Sequence, residues 1–145
     1  HWFVDLLLIA DSHSDNAYAG TTGAEVVPFE NNSIEGSNSV LERDWNRYLE
    51  DVARANKLIC NIDLVTDNSL TTAERAQYKA EAKIFRAMVM FDMVRLWGDF
   101  PVITTVADDI TSENIDEVYP QYFPKQNTEL EAYQQIEKDL LDAVL

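Results

Sequence analysis

The feature that most constrains the fold is a run from residue 71 to residue 97 that contains neither glycine nor proline. At its start, Thr71 is followed three residues later by Glu74, which is the capping-box pattern of a helix N-terminus. Gly98 and Pro101 come just after the run, where a C-terminal glycine and a helix-stopping proline are common. The run therefore predicts one long helix that ends at Trp97.

The apolar pattern of this helix and its neighbours indicates how they pack. From Ile84 to Leu96 apolar residues lie nearly all round the helix, which predicts that most of this part is buried. From Leu41 to Ile62 they recur every three or four positions, as on an amphipathic helix. A second capping box, Thr128 with Glu131, opens another helix. The apolar residues on one face of that helix are Tyr133, Ile136, Leu140, Leu141 and Val144.

These patterns predict an all-α fold of tetratricopeptide-like antiparallel helix pairs, although no second copy of a repeat is found at a fixed period. Two long irregular surface loops, at residues 11–40 and 102–127, are predicted between the helices. Loops of this length in a compact domain are usually functional or mobile. We expect residues 1–145 to form a single helical domain. Because the chain begins and ends within helical patterns, we expect it to be a piece of a longer protein.

The charge of the chain narrows the classes of partner. There are 11 basic and 26 acidic residues, for a formal net charge of −15. This charge repels phosphate backbones and anionic lipid surfaces, so neither nucleic acid nor a membrane face is an expected partner. No run approaches the length of a membrane span. The four glycines form no phosphate-binding loop, and no cofactor is predicted.

The sequence offers little that would support catalysis. Cys60 falls on the apolar side of a predicted helix, where a buried and inert thiol is expected. There is no G-x-S-x-G pattern for a serine nucleophile. The 26 acidic residues inevitably supply carboxylate pairs, but no pair stands out as the acid and base of a glycosidase. We therefore expect a protein that is not an enzyme, with a hydrolase as an alternative that no motif recommends.

The segment DSHSDN at residues 11–16 has two interpretations. It places oxygen or nitrogen ligands at every second position, as the start of a calcium loop does. An EF-hand would continue with a glycine and a bidentate glutamate, where this chain has Asn16 and Thr22. An Asx-rich turn that caps the preceding segment is the favoured interpretation, and no metal site is predicted.

Aromatic residues in loops and at helix ends are physical candidates for ligand contacts, because an exposed ring can stack on the apolar face of a sugar. They are Trp2, Tyr18, Phe29, Trp97, Phe100, Tyr119, Tyr122 and Phe123. Such rings also anchor loops to the core, and this is the favoured interpretation for any single one. Trp97 in particular is expected to plug the end of its helix. The candidate ligand-binding residues are Asp15, Asn16, Tyr18 and Trp97.

Three motifs occur together in this chain. The central one reads EAKIFRA at 81–87 and FDMVRLWGDFPV at 91–102. Upstream, WNRY at 45–48 precedes RAN at 54–56, and downstream IEKDL occupies 136–140. This combination resembles the SusD/RagB family, which are outer-membrane nutrient-uptake lipoproteins of Bacteroidota. The resemblance spans most of the chain from residue 11 onwards.

The resemblance implies that the chain is the N-terminal-half fragment of a longer SusD-like protein. It also implies a helical scaffold whose surface loops capture a nutrient, most often a glycan and in some branches a peptide. It implies a location on the cell surface at the outer membrane, with attachment only through an N-terminal lipid anchor outside these residues. It also implies a partner, a TonB-dependent transporter of the SusC type, to which the oligosaccharide or other nutrient passes. The alternative function is a helical module that binds a protein or peptide.

Overall fold

A computed structural model of the chain describes residues 2–14, 16–20, 24–66 and 69–144, with the backbone but not the side chains of Trp2 and Phe3. Over these residues the chain forms six α-helices, and it contains no strand. The helices are α1 (Trp2–His13), α2 (Val27–Glu30), α3 (Ser39–Asn61), α4 (Thr72–Trp97), α5 (Ile115–Val118) and α6 (Glu129–Asp142). Short 3-10 turns cover Ile62–Leu64 and Tyr119–Tyr122. The predicted all-α class is confirmed.

The chain divides into two compact units, His1–Leu49 and Glu50–Leu145. In the first, α1 packs against α2. Their shared core contains Ile9, Phe29 and Val40, which are all buried. Phe29, predicted in a loop, lies in α2 and anchors that helix to the core. The side chain of Asn38 caps the start of α3, since its Oδ1 accepts a hydrogen bond from the backbone of Val40 at 2.9 Å.

The first unit also contains a small cluster of charged side chains. Arg43 Nη2 donates to Asp5 Oδ2 at 2.8 Å, which ties α3 to α1. Arg43 Nε lies 3.5 Å from Asp44 Oδ1, too far for a good hydrogen bond, and Asp44 is buried. Burial, followed by repulsion from the carboxylate of Asp5, raises the pKa of Asp44 to about 6.

In the second unit, α4 packs along α6. Their contacts run in opposite directions along the chain: Lys83 meets Asp142, Arg86 meets Asp139, and Phe91 meets Tyr133. The two helices are therefore antiparallel, as the helix-pair prediction requires.

The termini of both helices follow the sequence prediction. Thr71 and Glu74 form a complete capping box at the start of α4, and Thr128 and Glu131 form another at the start of α6. In each, hydrogen bonds from the threonine lower the pKa of the glutamate. Helix α4 ends at Trp97, as predicted.

The burial predicted for the 84–96 stretch of α4 is wrong in part, and the burial predicted for Cys60 is wrong. Met90, Met93 and their neighbours on one side of α4 are buried, but four apolar residues of the 84–96 stretch are exposed on the other side. These four are Ile84, Phe85, Met88 and Phe91. Cys60, expected to be buried, is exposed. It follows Ile59 by one position, which turns it roughly 100° around the helix, away from the stripe that the apolar residues form.

Candidate functional site

The first loop forms a local turn before its candidate residues. Ser14 Oγ donates to the carbonyl of Asp11 at 2.8 Å and accepts from the backbone N–H of Asn16 at 3.2 Å. Asn16 is exposed, and Tyr18 is 75% exposed. Asp15, the third candidate here, lies outside the described residues. The turn thus presents Asn16 and Tyr18 to solvent, where an amide and an aromatic ring are available to a ligand.

Trp97, the fourth candidate, lies at the last position of α4 and is only partly buried. The next residue, Gly98, has φ 69° and ψ −115°, the mirror image of an extended conformation that only glycine adopts readily. A Cβ at this position would also lie 3.1 Å from Glu129 Oε1. The glycine therefore turns the chain sharply and allows α6 to approach the end of α4.

The residues after Gly98 fasten the start of α6. Asp99 Oδ1 accepts from the backbone N–H of Glu129 at 2.9 Å, and the Asp99 carbonyl accepts from Gln126 Nε2 at 2.9 Å. Phe100 is buried, and its carbonyl accepts from the N–H of Asn127 at 3.1 Å. The Gly-Asp-Phe sequence is therefore occupied by structural contacts, and its polar groups are engaged with the protein.

A buried polar network connects the three motifs of the sequence. Arg86 forms a bidentate ion pair with Asp139, with Nε to Oδ2 at 2.7 Å and Nη2 to Oδ1 at 2.6 Å. Arg86 Nη1 donates to Asn56 Oδ1 at 2.6 Å, and Gln135 donates to Asp139 at 2.9 Å. Arg86, Asp139 and Asn56 are at most 3% exposed. No role is predicted for these motif residues from the sequence, because no local pattern reveals a link across 53 positions.

The same network holds the start of the 102–127 loop. Asn56 Nδ2 donates to the carbonyl of Ile103 at 2.9 Å, and Arg86 Nη1 donates to the carbonyl of Thr104 at 3.2 Å. Buried backbone carbonyls need such partners, since leaving one unpaired costs free energy. The motif residues thus build the scaffold from which this loop extends.

Further along this loop, three exposed aromatic side chains form what we call the aromatic cluster: Tyr119, Tyr122 and Phe123. The rings of Tyr119 and Phe123 lie 4.9 Å apart between centroids and are tilted by 51°. Tyr122 is held by a hydrogen bond from its hydroxyl to the carbonyl of Asp108 at 3.0 Å. The sequence identifies these rings as candidates for ligand contacts but favours a core-anchoring role for each.

A pocket of about 480 Å³ opens beside the buried polar network. Three lysines that border it are paired with carboxylates: Lys79 with Asp63, and Lys83 and Lys138 both with Asp142. Hydrogen bonds from Lys138 and Lys83 lower the pKa of Asp142 to about 2. Because these ammonium groups already have carboxylate partners, the pocket is explained as an ion-pair network between helices.

An apolar groove of about 900 Å³ runs between α4 and α6. Ile84, Met88 and Phe91 line it from α4, together with the residues of α6 predicted to share a face. Phe91 meets Tyr133 edge-on, with 6.4 Å between ring centroids. The predicted face of α6 is present and is open to solvent at Leu140 and Leu141. Val144, predicted on the same face, lies beyond the end of the helix at Asp142.

The described residues contain no group of three or more His, Cys, Asp or Glu side chains placed to hold a metal ion. Within the same residues, no helix has the length and apolar character that a membrane span requires. The arrangement offers exposed rings, amides and carboxylates, which are groups that can contact a ligand.

A comparison with protein families decides where this fold belongs. The model of the SusD-like family, described as starch-binding and associating with the outer membrane, matches residues 8–145. The chain belongs to the SusD-like family. The sequence resemblance is thereby confirmed.

Two relatives show the extent of the match. A SusD-like protein of Bacteroides ovatus is 27% identical over 95 residues, which cover 66% of this chain and 16% of that protein. The crystal structure of a SusD superfamily protein from Bacteroides thetaiotaomicron has a TM-score of 0.71 at 22% identity. That match covers 88% of this chain and 28% of the solved chain, so the helical fold is shared with a segment of a longer protein.

Proposed function

We propose that this protein is a non-enzymatic, cell-surface nutrient-binding protein that captures a glycan and delivers it to a TonB-dependent outer-membrane transporter of the SusC type. The observation that carries this proposal is the SusD-like family match over residues 8–145, because that family is described as starch-binding and associated with the outer membrane. The exposed loop aromatics support it, since rings on a rigid helical scaffold suit sugar binding without a cofactor.

The ligand contacts proposed from the sequence remain Asp15, Asn16, Tyr18 and Trp97. Among them, Tyr18 has the most exposed ring, and Asn16, two positions earlier, has an exposed amide. Trp97 is the weaker candidate, because it is partly buried at the end of α4. Attachment to the membrane is proposed to occur only through a lipid anchor outside these residues.

Isothermal titration of the purified protein against a panel of neutral and anionic glycans and of peptides tests the proposal. We expect heats from at least one neutral glycan and weaker or no binding of polyanions, because the chain has a net charge of −15. No heat from any glycan, with clear heats from peptides, would overturn the glycan assignment. For the location, proteinase digestion of intact cells should remove the protein, and its survival would contradict surface exposure.

The alternative function, a helical protein- or peptide-binding module, is favoured by one observation, the apolar groove between α4 and α6. Such grooves take the apolar face of an amphipathic helix. Titration with amphipathic helical peptides distinguishes the two: peptide binding that Met88→Glu abolishes, without any glycan binding, would support the module.

A further inference from the structure

The aromatic cluster is displayed by a loop that does not need it for anchoring. Tyr119, Tyr122 and Phe123 are 52%, 49% and 64% exposed, whereas the neighbouring Val118 is 3% exposed. Val118 is thus the side chain that fastens this turn to the protein. Exposing three large rings within five residues costs free energy, because each leaves apolar surface in water. An anchoring role does not explain them.

The turn that carries the aromatic cluster is held by its own hydrogen bonds. The N–H of Phe123 donates to the carbonyl of Pro120 at 3.1 Å, and the Tyr122 hydroxyl reaches Asp108 at 3.0 Å. Asn114 closes the preceding turn, donating to the carbonyl of Asp109 at 3.0 Å and accepting from Thr111 at 2.7 Å. A surface that is already ordered loses little conformational entropy when a ligand binds.

The charge around the cluster selects the kind of ligand. Between residues 102 and 127 there are five acidic side chains and one basic side chain, Lys125. The acidic residues are Asp108, Asp109, Glu113, Asp116 and Glu117. Such a segment repels carboxylated or sulfated chains and leaves uncharged ligands unaffected. The acids also supply acceptors for hydroxyl groups.

We propose that Tyr119 and Phe123 form a stacking platform for an uncharged sugar ring, with Tyr122 as the third ring of the same subsite. Because the two rings are tilted by 51°, they are not stacked face to face on each other, and ring surface is left for a ligand. The platform rests on the proposed glycan-binding function and adds to it the subsite and the preference for neutral over acidic glycans.

Titration calorimetry of the whole protein with neutral maltoheptaose, neutral cellohexaose and anionic oligogalacturonate tests the platform. The test variant is Tyr119→Ala/Phe123→Ala. The matched control is Tyr78→Ala, which removes an exposed tyrosine from α4 outside the cluster. We expect a neutral ligand to bind the wild type and the control equally, the double variant at least about tenfold more weakly, and the anionic oligomer not at all.

Four results would overturn the platform. Unchanged neutral-glycan affinity in the double variant refutes it and leaves the proposed function standing, whereas a wild type that binds no glycan refutes both. Preferential binding of the anionic oligomer contradicts the charge argument. A melting temperature that falls in the double variant but not in Tyr78→Ala shows that the rings pack on this protein, so that their role is to anchor the loop.

Discussion

Arg86 and Asp139 are joined by a bidentate ion pair that is almost wholly enclosed, with side chains 4% and 1% exposed. One residue belongs to the central motif of the sequence and the other to the downstream motif. The pair connects the middle of α4 to α6, and through Asn56 it also reaches α3. The residues by which the family is recognised thus hold its helices together.

Removal of one member of this pair should strongly destabilise the protein. Asp139→Ala leaves the Arg86 guanidinium buried without its counter-charge, which typically costs about 3–5 kcal/mol. The matched control is Asp142→Ala, one turn further along α6, where the carboxylate is exposed and pairs only with lysines. Chemical denaturation should show a large loss in the free energy of unfolding for Asp139→Ala and little change for Asp142→Ala. Equal effects would contradict a special role for the buried pair.

Gly98 should not tolerate a side chain. Gly98→Ala and Gly98→Val force a Cβ into a conformation with φ 69°, at a cost of roughly 1–3 kcal/mol, with valine the worse of the two. Gly36→Ala is the control, since that glycine has open space around it. Melting temperatures should fall for both Gly98 variants only. The double variant Gly98→Ala/Glu129→Ala separates conformational strain from the 3.1 Å contact, because it removes the contact. If strain is the cause, the melting temperature of the double variant should still be lowered.

Asp99 should act as a cap of α6 and not as a ligand contact. Asp99→Ala removes the acceptor for the Glu129 N–H, which should cost about 0.5–2 kcal/mol. The Asp99→Asn variant keeps an oxygen acceptor, so it should retain most of the stability that Asp99→Ala loses. Thermal unfolding reports the stability. Titration with a glycan that binds the wild type should give the same affinity for the wild type, Asp99→Ala and Asp99→Asn. A loss of affinity without a loss of stability would instead place Asp99 in the site.

Asp44 should make the stability depend on pH between roughly 4 and 6.5. Its pKa is raised to about 6 in the folded protein, from an ordinary value near 3.8. The folded state therefore binds this proton more tightly than the unfolded state does. The resulting stabilisation is complete at pH values below the ordinary pKa and is lost as pH rises through about 6. The Asp44→Asn variant cannot titrate at this position. Its free energy of unfolding minus that of the wild type should therefore be roughly 1–3 kcal/mol larger at pH 7.5 than at pH 4.

Other carboxylates also titrate in this range, so the comparison is made between variant and wild type at each pH. Denaturant unfolding followed by circular dichroism at pH 4, 5, 6 and 7.5 gives the difference curve. A curve that is flat across this range would show that Asp44 is not the group responsible.

Features coded by neighbouring residues were predictable from the sequence. The capping boxes at Thr71 and Thr128 and the stop at Gly98 depend on contacts within a few positions, and all three appear in the structure. The shared face of α6 follows from helical spacing alone. Such signals need no knowledge of the rest of the chain.

Features that depend on distant partners were not predictable in the same way. Composition shows that Ile84 and Met88 are apolar, but not whether another element covers them, and both are exposed. The pairing of Arg86 with Asp139 spans 53 positions, which no local pattern reveals. The aromatic cluster was visible as residue types, but only its exposure, with Val118 as the anchor, separates it from anchors such as Phe29.

The central claim is that motif residues build the scaffold and exposed loop aromatics contact the ligand. A crystal structure of the protein bound to a neutral oligosaccharide tests it most directly. The account predicts a sugar ring within about 4 Å of the Tyr119 or Phe123 ring, with Arg86 and Asp139 still paired to each other. A sugar bound to Arg86 and Asp139, or seated in the apolar groove with the aromatic cluster vacant, would contradict it.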